Sequence, residues 1–181
     1  MTPDDVKKVF DEADCLYTDN QVSVALDEIA SRMHEILHDK NPLMLCVVTG
    51  GIIPTGHLLT RLQFPMQVDY VHATRYRGET RGGVLKWIAE PKFSLQGRVV
   101  VIVDDILDEG ITLDELIKYC RKEGASEVYS AVLVEKNKPR PEHIKADFVG
   151  LVVEDRYLFG YGMDYKDYLR NAAGIYAVKG M

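Results

Sequence analysis

The residues best equipped for chemistry are four acids in one short run. Asp104, Asp105, Asp108 and Glu109 stand in VVVIVDDILDEGITLDEL, Val99 to Leu116, directly after five apolar residues. Gly110 and Thr112 follow them. Ligands of open parallel sheets bind where strands end at their carboxyl side. Carboxylates at such a place can chelate a metal ion and accept hydrogen bonds from sugar hydroxyls. A glycine turn before a helix can present successive backbone amides to a phosphate. The combination suits a ligand that carries phosphate and hydroxyls together with a metal ion. The same acids also read as helix caps and solvated loop residues, and from this run alone the two readings stand level. Thr112 to Glu115 has the T-x-x-E form of a capping box, so a helix is expected from Thr112 and the strand is expected to end at Asp104-Asp105.

Other motifs narrow the field by their absence. There is no GxxxxGK and no GxGxxG, which removes a P-loop and a dinucleotide fingerprint. An acidic pair after an apolar run also opens receiver domains of response regulators. There it ends the first strand, whereas here it lies in the middle of the chain, with too little sequence after it for that fold.

The elements that must hold the run alternate between strand and helix. Thr2-Pro3-Asp4-Asp5 is a helix opening, and the first forty residues read as helical. Val22, Ala25, Ile29, Met33, Ile36 and Leu37 recur at helical spacing over Asp19 to Leu37. LMLCVV (Leu43 to Val48) is a buried strand, followed by a helix-like stretch to about Leu62. MQVDYVHA (Met66 to Ala73), VLKWI (Val84 to Ile88), VVVIV, VYSAVLV (Val128 to Val134) and DFVGLVV (Asp147 to Val153) read as further strands, with a helix over Leu113 to Glu123 closed by Gly124. Continuous apolar strands alternating with helices predict an α/β fold with a parallel sheet covered on both faces. Nothing marks a linker, so residues 1–181 are expected to form one domain, as their length suggests.

The totals set the class. Hydrophobic residues make up 46% and charged residues 28%, which excludes a disordered or collagen-like chain. A net charge of −6 speaks against a nucleic-acid partner. No stretch approaches the roughly 18 apolar residues of a membrane span, and the N-terminus has no apolar signal region. Three widely spaced cysteines without CxxC (Cys15, Cys46, Cys120) predict buried reduced thiols and a cytoplasmic location. The five histidines lack ligand spacing, so a histidine-based metal site is not expected.

VVVIVDDILDEGITL resembles the phosphoribosyl-diphosphate (PRPP) signature of type I phosphoribosyltransferases. Val47 to Gly51, VVTGG, is similar to the diphosphate loop of the hypoxanthine-guanine branch. KNKPRPEHIKADFVGLVVEDRYLFGYGMDYKDYLRN (Lys136 to Asn171) resembles that branch's purine-binding segment nearly end to end. The resemblance implies a Rossmann-like parallel sheet with a small hood subdomain from the N- and C-terminal segments. It further implies purine salvage: transfer of the 5-phosphoribosyl group from PRPP to hypoxanthine or guanine, with Mg²⁺ as cofactor, in a homo-oligomer (dimer or tetramer).

The family pattern also implies roles. Asp104 and Asp105 would hold the ribose hydroxyls and Mg²⁺, and Asp108 would act as general base at purine N7. Glu109, Gly110, Ile111 and Thr112 would wrap the 5′-phosphate. Thr49, Gly50 and Gly51 would contact the diphosphate, with a cis peptide expected between Thr49 and Gly50. Lys136 would hydrogen-bond the purine 6-oxo group, Tyr157 would stack on the base, and backbone around Arg156 to Leu158 would read its other edge. Asp164 would bind beside the purine and hold a second Mg²⁺, and Arg170 would pair with diphosphate oxygens. Thr74 to Gly83 would be a lid that closes through Arg75, Arg77 and Arg81, with Tyr76 as its matching aromatic and Arg75 where relatives carry serine. Taken singly, Tyr157 reads as well as a core aromatic, Asp164 as a turn residue, and Lys136 and Arg170 as solvated charges. Xanthine preference is the main rival reading, and a non-catalytic PRPP-binding regulator the other. Leu58-Leu59 and Tyr70-Val71 are candidate oligomer contacts.

Overall fold

The computed structural model describes residues 1–75 and 85–181. In chain order its elements are α1 (Pro3–Glu12), β1 (Asp14–Thr18), α2 (Asp19–Leu37), β2 (Leu43–Val47), α3 (Ile52–Leu59), β3 (Gln67–Arg75), β4 (Leu85–Ala89), β5 (Val99–Leu107), α4 (Ile111–Lys122), β6 (Glu127–Lys136), β7 (Phe148–Val153), β8 (Leu158–Phe159) and β9 (Gly174–Ala177). Most of the stretch read as a lid, Tyr76 included, lies outside the described residues. Arg75 is the last residue of β3.

Six strands form the main sheet in the order β4-β3-β2-β5-β6-β7. All neighbours run parallel except the edge strand β4, which returns antiparallel against β3. Strands paired on both sides must be apolar on both faces, and β2 is buried at all five positions. Val101 and Val103 of β5 enter a core with Leu26, Ile29 and Met33 of α2, while Val100 and Ile102 enter a second core with Leu113 and Leu116 of α4. The expected parallel sheet with helices on both faces is therefore present.

The hood is a three-stranded antiparallel sheet, β1-β9-β8, that joins the two ends of the chain. Phe10 of α1 packs its ring 5.0 Å from Tyr176, which stacks on Phe159 at 5.4 Å. Arg156 donates to Asp14 at 2.6 Å and ties the loop before β8 to β1.

Several expectations need correction. Asp14–Thr18 is a strand, not part of a continuous helix, because its partner β9 supplies the hydrogen bonds from the far end of the chain. Helix α2 has the expected bounds, with Thr18 and Gln21 forming a reciprocal capping box, but Ile36 is 41% exposed. The third helix stops at Leu59, short of Leu62. Cys15 is exposed in the hood, whereas Cys46 and Cys120 are buried free thiols as expected. Leu58 and Val71 are buried in the two cores and cannot form an oligomer contact, though Tyr70 is exposed. Among the described residues no helix is long and apolar enough to cross a membrane.

The register of α2 is open to test by mutation. Ile29→Ala should cost roughly 2–5 kcal/mol in urea denaturation, since Ile29 is fully buried. Ile36→Ala should stay within about 0.5 kcal/mol of wild type.

Candidate active site

The acid run is positioned by a mismatch in strand length. β5 pairs with β2 only as far as Val103, but with β6 as far as Leu107. The strand thus does not end at Asp104-Asp105 as expected; β2 ends instead and leaves one side of these residues vacant. Into that side fold Thr49, Gly50 and Gly51. A Cβ on Gly51 would stand 2.6 Å from the carbonyl oxygens of both Val47 and Val103, and one on Gly50 would stand 2.1 Å from Asp105 Oδ2. Only backbone can pass here, so the chain at Gly50 lies directly against the carboxylate. The cis peptide is Val48-Thr49, one bond earlier than expected. Val48 N–H still donates to Val71 of β3 at 2.9 Å, so the chain leaves the sheet directly after Val48.

Asp105 is only 8% exposed and Asp104 is half-buried. Burial, reinforced by the neighbouring Asp105 carboxylate, holds the Asp104 carboxyl well above the usual carboxylate range. Burial also raises Asp105, against the opposing pull of the Asp104 hydrogen bond and of Arg170. Negative charge is disfavoured at this pair, and a divalent cation would relieve it, so the donor set fits Mg²⁺. Among the described residues no group of three or more His, Cys, Asp or Glu side chains converges on one point. Mg²⁺ commonly takes only one or two protein carboxylates alongside substrate oxygens and water.

Gly110 is the N-cap of α4, in left-handed backbone (φ 76°), and the helix begins at Ile111. The expected cap at Thr112 is therefore displaced: Thr112 is a first-turn residue behind the glycine turn. Its neighbours explain the glycine, since a Cβ on Gly110 would meet Ile144 Cγ2 at 2.2 Å. The turn Glu109–Thr112 thus sits at the start of α4, where helix amides can hold an anion.

A cleft of about 270 Å³ opens beside these acids, lined by Asp105, Ile106, Asp108, Lys136, Tyr157, Leu158, Met163 and Asp164. This is near the lower end of the roughly 300–1,000 Å³ usual for ligand sites and suits a single base. Tyr157 is 42% exposed, so it is not a core aromatic, and its ring packs edge-on to Tyr165 at 5.5 Å. Lys136 is no solvated charge either: its ammonium lies 3.0 Å from Asp155 and 3.4 Å from Asp108. Asp164 forms an ion pair with Arg170 at 2.7 Å, and Arg170 donates to the Gly162 carbonyl at 2.6 Å. Gly162 in turn is pressed against Gly50, where a Cβ would meet the carbonyl oxygen at 2.0 Å. The C-terminal segment and the diphosphate-type loop are thereby locked together. The Arg156 side chain turns away from the cleft to Asp14 and Val178.

Three charged residues here were not singled out in the sequence. Lys138 reaches Asp108 at 2.5 Å, and Asp155 touches both lysines. Its bond to Lys136 holds the Asp155 carboxyl below the usual range, and the bond to Asp108 raises Lys138. Arg140 donates to the carbonyls of Asp108 (3.0 Å) and Lys136 (2.8 Å), and also pairs with Glu135. The cation-rich run KNKPR was the available signal.

Comparison with known proteins agrees with this geometry. The model of the phosphoribosyl transferase domain matches residues 13–167. A hypoxanthine-guanine-xanthine phosphoribosyltransferase of Tritrichomonas foetus is 31% identical over 169 residues, covering 93% of this chain and 89% of its own. A hypoxanthine-guanine phosphoribosyltransferase of Bacillus subtilis is 29% identical, covering 99% and 97%. Among solved structures, a hypoxanthine-guanine-xanthine phosphoribosyltransferase superposes with a TM-score of 0.85 at 29% identity over 93% of this chain and 99% of its own. A hypoxanthine phosphoribosyltransferase of Staphylococcus aureus shares the fold, with a TM-score of 0.88 at 22% identity over 94% of each chain. Because the domain model spans residues 13–167, most of the chain, and relatives of this kind cover nearly its whole length, the chain belongs to the phosphoribosyl transferase family.

Proposed function

We propose that the protein salvages purines by transferring the 5-phosphoribosyl group of PRPP to hypoxanthine or guanine, releasing diphosphate and forming IMP or GMP. One observation carries the base assignment: Lys136 and Asp108 stand together in the wall of a cleft whose rim is the exposed ring of Tyr157. A cationic donor at the 6-position accepts a 6-oxo group and rejects the 6-amino group of adenine, itself a donor.

The chemistry follows from the residues. Purine N9 forms its bond to ribose C1′ as the C1′–oxygen bond breaks, and that electron pair leaves with diphosphate. The proton on purine N7 passes to the Asp108 carboxylate. Asp104 and Asp105 accept from the ribose hydroxyls, and the amides of Glu109, Gly110, Ile111 and Thr112 hold the 5′-phosphate. Backbone of Thr49, Gly50 and Gly51, with Arg170, steadies the diphosphate, and backbone from Arg156 to Leu158 reads the far edge of the base. One Mg²⁺ held by Asp104 and Asp105 and a second held by Asp164 would neutralise charge on the departing diphosphate. Arg75 and Tyr76 belong to the lid of this reading, which keeps water from the cationic sugar. The same reading includes a cytoplasmic homo-oligomer, supported by Ile52, Val68 and Tyr70, exposed apolar residues that border a single depression.

Xanthine is a second acceptor in view, because the Tritrichomonas relative carries it in its name. The deciding assay supplies PRPP and Mg²⁺ with hypoxanthine, guanine, xanthine and adenine in turn and follows diphosphate release. Turnover with hypoxanthine and guanine and little with adenine is expected. Adenine as the best acceptor would overturn the Lys136 argument, and PRPP binding without turnover of any base would make the protein a regulator. Asp108→Asn keeps the shape and removes the base, so kcat should drop by roughly 10² or more while PRPP still binds. Parallel loss of binding would assign Asp108 to the clamp instead.

A further inference from the structure

Four charges meet at one corner of the cleft, and their distances are unequal. Lys138 lies 2.5 Å from Asp108 and 3.5 Å from Asp155. Lys136 has the opposite preference, 3.0 Å from Asp155 and 3.4 Å from Asp108. Each lysine thus has one close carboxylate and one loose one. The backbone imposes this arrangement. Lys138 N–H donates to the Lys136 carbonyl at 3.0 Å, a tight turn that sets the two lysines side by side. Pro139 follows, and Arg140 reaches back to the carbonyls of Lys136 and Asp108, fastening the segment over the acid run.

Lys138 differs from an ordinary surface lysine in its setting. Lys118, paired with Asp114 and Glu115 on α4, has a side chain 58% exposed, whereas that of Lys138 is 21% exposed. Its partner carboxylates are more open, 39% exposed at Asp108 and 50% at Asp155, so the pair is held from the lysine side.

We infer that Lys138 is a positioning residue for the reaction: it holds the Asp108 carboxylate in place when Lys136 leaves it for the purine 6-oxo group. Without Lys138, one ammonium would have to serve both the base and the carboxylate that takes its proton. With it, Lys136 turns to the substrate from its loose contact, and Asp108 stays aimed at N7 through its close one. Asp155 pairs with both ammonium groups, so the two cations can stand close together. The inference rests on the proposed role of Asp108, and its test separates the two.

Lys138→Met and Lys138→Arg are compared with wild type for kcat and both KM values with hypoxanthine and PRPP, alongside Asp108→Asn and the double variant Asp108→Asn/Lys138→Met. Lys138→Met should lower kcat about tenfold with the PRPP KM unchanged, and Lys138→Arg should recover most of the loss. In the Asp108→Asn background, Lys138→Met should have no further effect, because Lys138 acts through Asp108. A wild-type kcat in Lys138→Met, or a full additional loss in the double variant, overturns the inference while leaving the Asp108 assignment intact. A wild-type kcat in Asp108→Asn overturns both.

Discussion

Two adjacent carboxylates on a strand at the centre of a protein are unfavourable by themselves, and the structure around Asp104 and Asp105 follows from accommodating them. They cannot be fully enclosed, so β2 stops pairing with β5 at Val103 and yields its place to a loop whose closest residues, Gly50 and Gly51, lack side chains. They cannot be left in open water either, or they would lose the field that makes them useful. Gly50 lies against Asp105, Gly162 lies against Gly50, and Arg170 is held by Gly162. The acid pair, the diphosphate-type loop and the C-terminal segment therefore form one contiguous unit, though they come from distant parts of the chain.

The same logic explains the hood. Its three strands bring α1 and β1 against the segment that carries Tyr157, Leu158 and Asp164. Arg156 is used for this attachment, through Asp14, so its side chain serves the frame. The cleft is thus walled on one side by the hood segment and on the other by the main sheet, whose β6 ends at Lys136.

Much of this was legible in the sequence, and the failures have physical causes. The apolar runs of β2, β5 and β6 predict buried parallel strands because a strand paired on both sides leaves no solvent face. The periodicity of α2 gave its bounds, yet Ile36 fell outside the buried arc, since periodicity marks an apolar stripe but not what packs against it. β1 was hidden because its partner lies some 160 positions away, at the other end of the chain. The Thr112 capping box was a sound local pattern that lost to Gly110, whose left-handed conformation starts α4 one residue earlier. The cis bond lies at Val48-Thr49, directly after the last residue bonded to β3, a position no local motif encodes. Lys138 is hidden because a cation-rich loop reads as solvated, and Asp155 because its lysine partners lie nearly twenty positions earlier in the chain.

The central claim is that the buried pair Asp104-Asp105 exists to bind a sugar together with a divalent cation. Titration calorimetry of PRPP into the protein, with Mg²⁺ and then with EDTA, tests it directly. Binding in Mg²⁺ that collapses in EDTA is the predicted result. Equal affinity in the two buffers would contradict the account, because the carboxylates would then face an anionic ligand with no cation between them.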